Sequence, residues 1–480
     1  MPAPAADRAL RAVAVAGSLV VVALLTVVPP GNNDLWLQLT VGSIIRETGE
    51  IPRTVLFPFT EVRDFPFHAH EWLASVVFSL LHEALGFERL GLVTGAFGMA
   101  TFALAWRLAW RHTGDHAASL FLALVTLAVI NFRYHLRPEL FALLFAVLEL
   151  NLLAEYRLTR RPGWLIALLP LALAWANCHG SFVVGLAIAG LFAAGEAIAA
   201  RRAAGGVPYA FALAGMAAAS LVNPLGYKLF YFAWDLRRWE LMRAFINEWS
   251  WTFSPVFTET RGFPAYLYLL ALCAAALVVC WRRLGATDAL LLATFAALSA
   301  DRNRYIVFFA VAALYVLARL IGPLPGGGRR VPVLVALLCL VGAGALVSHG
   351  NFYRAYPYET PSLNFTAPLV EYIEANRLEG NVLNSYELGA ELIHRFYPRL
   401  RPSIDSRLDS YGEMYFLHAL RLLQSEPQMV AFIGDYDVRY MLLLWRDFEQ
   451  VRAMSALPAS GWTVRFADHK MVLLGRAPTP

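Results

Sequence analysis

The chain has 480 residues, 58% of them hydrophobic and only 16% charged, with a mean hydropathy of +0.53. Soluble domains carry roughly one-quarter charged residues, so this composition excludes an ordinary soluble enzyme and points to a membrane protein. The formal charge of +5 comes largely from Arg beside the apolar stretches; it bears on topology and lipid headgroups, and no nucleic-acid partner follows from it.

The first apolar run follows Arg8 and Arg11 and ends at Val28-Pro29-Pro30 without a small-residue cleavage site, which reads as a retained signal-anchor helix. Apolar stretches near the length that spans a bilayer then recur, giving about eleven spans in all. They are 10–29, 88–106, 116–132, 139–157, 163–178, 181–200, 207–222, 263–281, 286–300, 303–321 and 331–347. This arrangement puts Arg8 and Arg11, Arg107 and Arg111, Arg157 with Arg160 and Arg161, Arg201 and Arg202, Arg282 and Arg283, and Arg329 and Arg330 on one side. By the positive-inside rule that side is cytoplasmic, with the N-terminus inside and the C-terminal part outside. The expected location is the inner (plasma) membrane of a bacterial cell. The four cysteines, Cys178, Cys273, Cys280 and Cys339, lie in or beside the spans and read as packing residues rather than a disulfide or metal framework.

The apolar segment from His70 to Glu83 is too short to cross and would invert every later loop if it did. It is expected to be an interfacial or re-entrant helix with His70 and Glu71 at its N-terminus, where the helix dipole favours a carboxylate. Two long outer loops result, about 31–87 and 223–262. The first also holds a predicted amphipathic helix from Leu35 to Arg46 and an extended, Pro-marked run from Ile51 to Thr60. The membrane domain is thus expected over 1–348 and a separate extracytoplasmic α/β domain over 349–480. In the latter, helices are predicted at Pro368–Asn376, Glu387–Phe396, Gly412–Leu423 and Pro427–Ile433. Strands are predicted at Asn381–Leu383, Ser403–Asp405, Val438–Leu444, Trp462–Phe466 and Lys470–Leu474.

Asp34 follows directly on the first span. A carboxylate there can take a proton from an acceptor hydroxyl, or it can serve as N-cap to the helix beginning at Leu35. His70 and Glu71 form a second polar pair, suited to holding a hydroxyl or phosphate or to capping a helix. Arg133, Arg137 and Glu139 between two spans, and Arg302, Asn303 and Arg304 between two others, fall on the outer side against the arginine bias. Such arginines need a partner: a phosphate held by the guanidinium fork, or local pairing with Glu139 and Asp301. Asn177, His179, Asn223 and Glu248 also fall on the outer side and fit a pocket, although each residue type is common at span ends. Asp405, Arg407 and Asp409 follow a predicted strand, as a ligand site at a strand end or as a salt-bridge turn. There is no HExxH, no paired CxxC and no Gly-rich phosphate loop. No cofactor is expected, and a divalent metal would require Asp34 and Glu71 to converge.

The layout resembles the GT-C glycosyltransferases, the group that includes protein O-mannosyltransferases and lipid A aminoarabinose transferases. The resemblance lies in Asp34 just after the first span, the helices near 35–46 and 70–85, His70-Glu71-Trp72-Leu73, and the long loop 223–262 after seven spans. The chain is more closely similar to a bacterial GT-C-like family in Asp34-Leu35-Trp36, Arg137-Pro138-Glu139-Leu140, His179-Gly180-Ser181-Phe182, Asn223-Pro224, Glu248-Trp249, Arg302-Asn303 and Asp405-Ser406-Arg407-Leu408-Asp409. It departs at Val55, where relatives often have an acidic residue. The resemblance implies inverting transfer of a sugar from a polyprenyl phosphate to a glycan, lipid or protein acceptor. Asp34 would be the base, Arg133, Arg137, Arg302 and Arg304 would hold the phosphate, and His70 and Glu71 would position the acceptor or sugar. The alternative is a non-catalytic lipid-linked glycan binder, transporter or assembly scaffold with the same fold.

Overall fold

The structure is a computed structural model, describing residues 5–236, 246–260, 262–322, 365–454 and 461–476. The predicted span 331–347 and the predicted domain boundary near His349 lie outside the described residues. The chain divides into two compact units: Met1–Pro29 with Phe87–Tyr356, and Pro30–Gly86 with Pro357–Pro480.

The first unit is helical. Its elements are α1 (Ala5–Thr26), then, after two helices of the other unit, α4 (Gly91–Thr113), α5 (His116–Ile130), α6 (Glu139–Thr159), α7 (Gly163–Ile166), α8 (Leu168–Cys178), α9 (Phe182–Ala199), α10 (Val207–Ser220), α11 (Lys228–Leu236), α12 (Pro255–Thr258), α13 (Gly262–Cys280), α14 (Ala286–Asp301) and α15 (Ile306–Ile321). All predicted spans but the last therefore coincide with helices or, for 163–178, with a helix pair. Among the described residues five helices, counted with their short flanking turns, are long and apolar enough to cross a membrane, and α1, α7 with α8, and α10 supply shorter apolar segments. The helix stops follow local chemistry: Gly114 adopts φ 63° after α4, and Asp115 caps α5 by accepting from the Ala118 N–H at 2.8 Å.

The centre of this bundle is α15, buried at every position from Ile306 to Ala318. A helix apolar all round fits such a place, with α4, α5, α13 and α14 packed against it. At one end of the bundle Arg157 reaches Glu196 at 2.9 Å and Asp288 at 3.6 Å, and Arg319 grips Asp288 at 2.8 and 2.9 Å. Arg107 and Arg111 both bind Glu155 at 2.7 Å, and Arg283 donates to the carbonyls that end α15. Of the arginines expected on one side, Arg107, Arg111, Arg157 and Arg283 thus find partners at this end, together with Arg319. Glu139 opens α6 about 30 Å away along a helix of this length.

The second unit joins α2 (Asn33–Thr48) and α3 (Trp72–Leu85) to a sheet of β1 (Gly380–Asn384), β2 (Leu400–Pro402), β3 (Val438–Leu444), β4 (Trp462–Ala467) and β5 (Met471–Arg476). The strand order is β2-β1-β3-β5-β4, parallel across the first three and antiparallel across the rest. The helices are α16 (Ala367–Ala375), α17 (Gly389–Phe396), α18 (Leu408–Tyr411), α19 (Glu413–Leu422), α20 (Glu426–Asp435) and α21 (Trp445–Arg452). Met441 and Leu443 face one apolar cluster, and Leu442 and Leu444 the other. This two-sided burial explains the unbroken run Met441-Leu442-Leu443-Leu444 in a central strand.

One predicted element moves and one helix is new. The strand expected at Ser403–Asp405 lies at Leu400–Pro402, because Ser403 is drawn onto Asn384 (N to Oδ1 2.9 Å) and Asp405 turns to Arg407. Helix α21 was not expected, since its first turn directly continues the apolar run of β3. Residues 31–87, read from sequence as a loop of the membrane domain, fold with the sheet unit. The extended run forms a small lobe there, with Val55 N–H donating to the Phe65 carbonyl at 2.8 Å and Phe59 N–H to the Pro402 carbonyl at 3.3 Å. Val55 is fully buried, so an ionised side chain at this position would need a buried partner.

Candidate functional site

In the sheet unit, Asp34 lies in the first turn of α2. The N-cap is Asn32, whose Oδ1 accepts the Asp34 backbone N–H at 2.9 Å, so capping falls to Asn32 and Asp34 is left in the positive field of the helix start. One turn on, and therefore on the same face, Gln38 donates to Glu71 Oε2 at 2.8 Å. Ser75 closes the group, donating to Gln38 Oε1 and to the Glu71 carbonyl at 3.1 Å. His70 Nε2 lies 3.6 Å from Glu71 Oε1, and its Nδ1 is 2.9 Å from the His68 carbonyl. Gln38 and Ser75, which the sequence reading missed, thus join α2 to the His70–Glu71 pair one turn beyond Asp34; the i, i+4 spacing of Asp34 and Gln38 was the signal.

This arrangement depends on close contact of α2 and α3. A Cβ on Gly42 would lie 2.1 Å from the Ser75 carbonyl oxygen and 2.8 Å from Ser79 Cβ, so only glycine lets the helices meet at that depth. The other flank of α2 is held by α17: Thr40 Oγ1 lies 3.0 Å from His394 Nδ1, whose ring is 4.9 Å from that of Trp36. Burial, with His82 and Arg395 nearby, lowers the His394 pKa to about 4.

In the helical unit, the loop residues expected to bind phosphate converge on two carboxylates. Arg133 Nε is 3.0 Å from Glu139, and a terminal nitrogen is 2.8 Å from Glu248 Oε1; Arg137 pairs with the same Glu248 oxygen. Arg304 stacks over the neighbouring Trp249 ring at 4.1 Å. Asn303 pins this loop, donating to the Asn247 carbonyl at 2.7 Å and to Ser250 Oγ at 2.9 Å. Burial opposes the charge on Glu248, but Arg133, Arg137 and Arg304 outweigh it and hold the carboxyl well below the usual carboxylate range. His135, buried beside Arg137 and Arg133, is lowered to about 3 and so is neutral at physiological pH. Arg302 turns instead to its neighbour Asp301 at 3.1 Å.

The remaining expected residues stand elsewhere. Asn177 ties α8 to the end of α10 through the Val222 carbonyl at 2.8 Å, His179 binds Ser181 at 2.7 Å, and Asn223 shapes its own turn by accepting from Leu225 N–H at 2.8 Å. In the sheet unit Arg407 grips Asp405 through Nε at 2.9 Å and its backbone N–H at 3.0 Å. Its guanidinium lies 5.0 Å from the Phe57 ring and 5.2 Å from that of Phe67. That is a buried salt-bridge turn. The Asp409 side chain lies outside the described residues. Among the described residues no group of three or more His, Cys, Asp or Glu is placed to hold a metal ion.

No family model matches the chain, and no curated protein sequence matches it. Solved structures do. ArnT from Cupriavidus metallidurans bound to undecaprenyl phosphate aligns over 97% of this chain and 98% of its own with TM-score 0.56 at 14% identity. Archaeal oligosaccharyltransferase AglB from Archaeoglobus fulgidus, in complex with an inhibitory peptide and a dolichol-phosphate, aligns over 90% of this chain and 69% of its own with TM-score 0.58 at 11% identity. The same archaeal enzyme tethered with an acceptor peptide gives TM-score 0.58 at 12% identity. The chain therefore has the GT-C-like membrane fold, mainly helical with a C-terminal α/β sheet region.

Proposed function

We propose that the chain is an inverting glycosyltransferase of the GT-C type, moving a sugar from a polyprenyl-phosphate donor to the hydroxyl of a glycan, lipid or protein acceptor. The observation that carries this reading is the cationic cluster before α6, where Arg133 and Arg137 bind Glu248 and Arg304 lies over the adjoining Trp249, at the head of an apolar bundle. Three arginines against Glu139 and Glu248 leave one positive charge. A sugar phosphodiester donor carries one negative charge and gains a second as its glycosidic bond breaks, so the cluster meets the charge that develops. Fold likeness to proteins bound to undecaprenyl phosphate and dolichol-phosphate supports the same class of donor.

In this scheme the acceptor oxygen attacks the anomeric carbon, the bond to the phosphate oxygen breaks, and the acceptor proton passes to Asp34. The phosphate charge falls on Arg137 and Arg304, while Arg133, bound by both glutamates, fixes Glu248 and through it Arg137. Glu71, oriented by Gln38 and Ser75, and His70 position the hydroxyl-bearing partner. No cofactor or metal takes part in the scheme. The reaction is assigned to the non-cytoplasmic face of the plasma membrane, on the arginine distribution of the loops.

Native mass spectrometry of the purified protein tests the donor half. A polyprenyl phosphate should stay bound to the wild type and be lost from the Arg137→Ala/Arg304→Ala variant. Retention by the variant at wild-type occupancy would remove the phosphate role from these arginines.

A further inference from the structure

A second basic site lies in the sheet unit, away from Asp34 and Glu71. At the amino ends of the parallel strands β1, β2 and β3 there is a cleft of about 400 Å³, within the range of small-molecule sites. Four arginines line it: Arg63 from the lobe after α2, Arg399 and Arg401 around the start of β2, and Arg439 from β3; Glu379 and Asp437 are its acidic members. Arg399 is engaged by Glu374 at 2.8 Å and Arg439 loosely by Asp437 at 3.6 Å. Arg63 and Arg401 have no carboxylate within ion-pair distance among the described residues.

The backbone is shaped to hold this group. Gly380 has φ 127°, and a Cβ there would stand 2.6 Å from Arg439 Cδ, so glycine lets the Arg439 stem lie across β1 toward the cleft. Asp437 takes the left-handed φ of 45°, a conformation that a non-glycine residue adopts at a cost and that recurs at ligand sites. Asn381 also lines the cleft. Its Nδ2 donates to the Tyr436 carbonyl at 2.6 Å, while its buried Oδ1 meets no donor among the described residues. A buried acceptor in that condition takes its donor from water or from a ligand hydroxyl that displaces it.

We propose that this cleft is a binding site for an anionic polyhydroxyl group, a phosphorylated or carboxylated saccharide or the equivalent lipid headgroup. The guanidinium forks of Arg63 and Arg401 take the anion, and Asn381 Oδ1 takes a hydroxyl. The site stands independently of the transfer reading, since its occupancy is measured without turnover.

The test uses the full-length protein. In detergent, isothermal titration with glucose 6-phosphate, inorganic phosphate and glucose is compared for the wild type, Arg63→Gln/Arg401→Gln, Arg63→Gln/Arg439→Gln and Asn381→Leu. Nanodiscs of phosphatidylglycerol or phosphatidylcholine form the lipid arm. Glucose 6-phosphate should bind the wild type, weaken about tenfold or more in both arginine variants, and lose its advantage over inorganic phosphate in Asn381→Leu. Binding in solution assigns the cleft to a soluble saccharide; binding only to phosphatidylglycerol, lost in the arginine variants, assigns it to a headgroup. Anion binding that is absent in both arms, or unchanged in variants that melt at the wild-type temperature, overturns the proposal. Equal affinity for phosphate and glucose 6-phosphate with no effect of Asn381→Leu overturns its saccharide part.

Discussion

At the scale of single residues, the Arg407–Asp405 ion pair is defined by what surrounds it. Arg407 and Asp405 are both buried, in a bidentate pair roofed by aromatic rings. Asp405→Asn should destabilise the protein by about 3–5 kcal/mol, because it strands a buried guanidinium. The double change Asp405→Leu/Arg407→Met should recover most of that loss; denaturant unfolding followed by tryptophan fluorescence measures both. Recovery of stability together with intact activity marks the pair as structural, and loss of activity in the stable double variant marks it as a ligand site. His394 offers a pH test. Its folded pKa of about 4 lies below the unfolded 6.5, so the unfolded chain binds more protons between these values. The stabilising contribution of a neutral His394 is complete above pH 6.5 and declines as pH falls toward 4. The hydrogen-exchange protection factors of α2, which Thr40 ties to His394, should therefore fall as pH drops across that window in the wild type, once intrinsic exchange rates are divided out. The change should be much smaller in His394→Asn, and equal pH dependence in the two proteins would refute the assignment.

At the scale of elements, Gly42 is the position where helix packing controls the chemistry. Gly42→Val must push α3 away from α2, since even a Cβ meets the Ser75 carbonyl at 2.1 Å. Glu71 is joined to α2 through Gln38, so the displacement should reduce activity strongly, about 10²-fold, while the sheet unit keeps its fold. Activity within twofold of wild type would show that the α2–α3 spacing does not position Glu71. The periods of the two helices, their ends and the extended lobe between them were legible in the sequence. Their attachment was not: Phe59 packs against Phe432 and Trp36 against His394, contacts hundreds of residues apart that no local pattern encodes. In the sheet, β3 was legible to the residue because a run of seven with four consecutive buried apolar residues admits little else. β2 was displaced because three residues ending in proline give almost no periodic signal.

At the scale of the whole molecule, the apolar stretches were legible as helices, and Arg107, Arg111, Arg157 and Arg283 of the arginine set expected on one side find partners at the end of the bundle that holds Asp288. The arginines that break that pattern were the most informative site signal. Arg133 and Arg137 bind Glu248 and Arg304 stacks on the adjoining Trp249, whereas Arg302 turns to Asp301, and the difference between Arg302 and Arg304 is invisible in the tetrapeptide Asp301-Arg302-Asn303-Arg304. Asn177, His179 and Asn223 were legible as polar residues at span ends, but their hydrogen bonds to nearby turns and helix ends emerge only from the folded backbone. Partner choice among polar groups is a property of tertiary geometry, which is why residue type identified the participants better than their bonds.

The central claim, sugar transfer from a polyprenyl phosphate with Asp34 as the base, is tested most directly by mass spectrometry of lipids and envelope glycans. Cells carrying the wild type, the Asp34→Asn variant at equal expression, or no gene are compared. The account predicts that a polyprenyl-phosphate sugar accumulates and a glycan loses that sugar in both altered strains, with transfer reduced about 10²–10⁴-fold by Asp34→Asn. Wild-type lipid and glycan profiles with Asp34→Asn, in cells where deletion does change them, would contradict it and favour a binding or assembly role for the same fold.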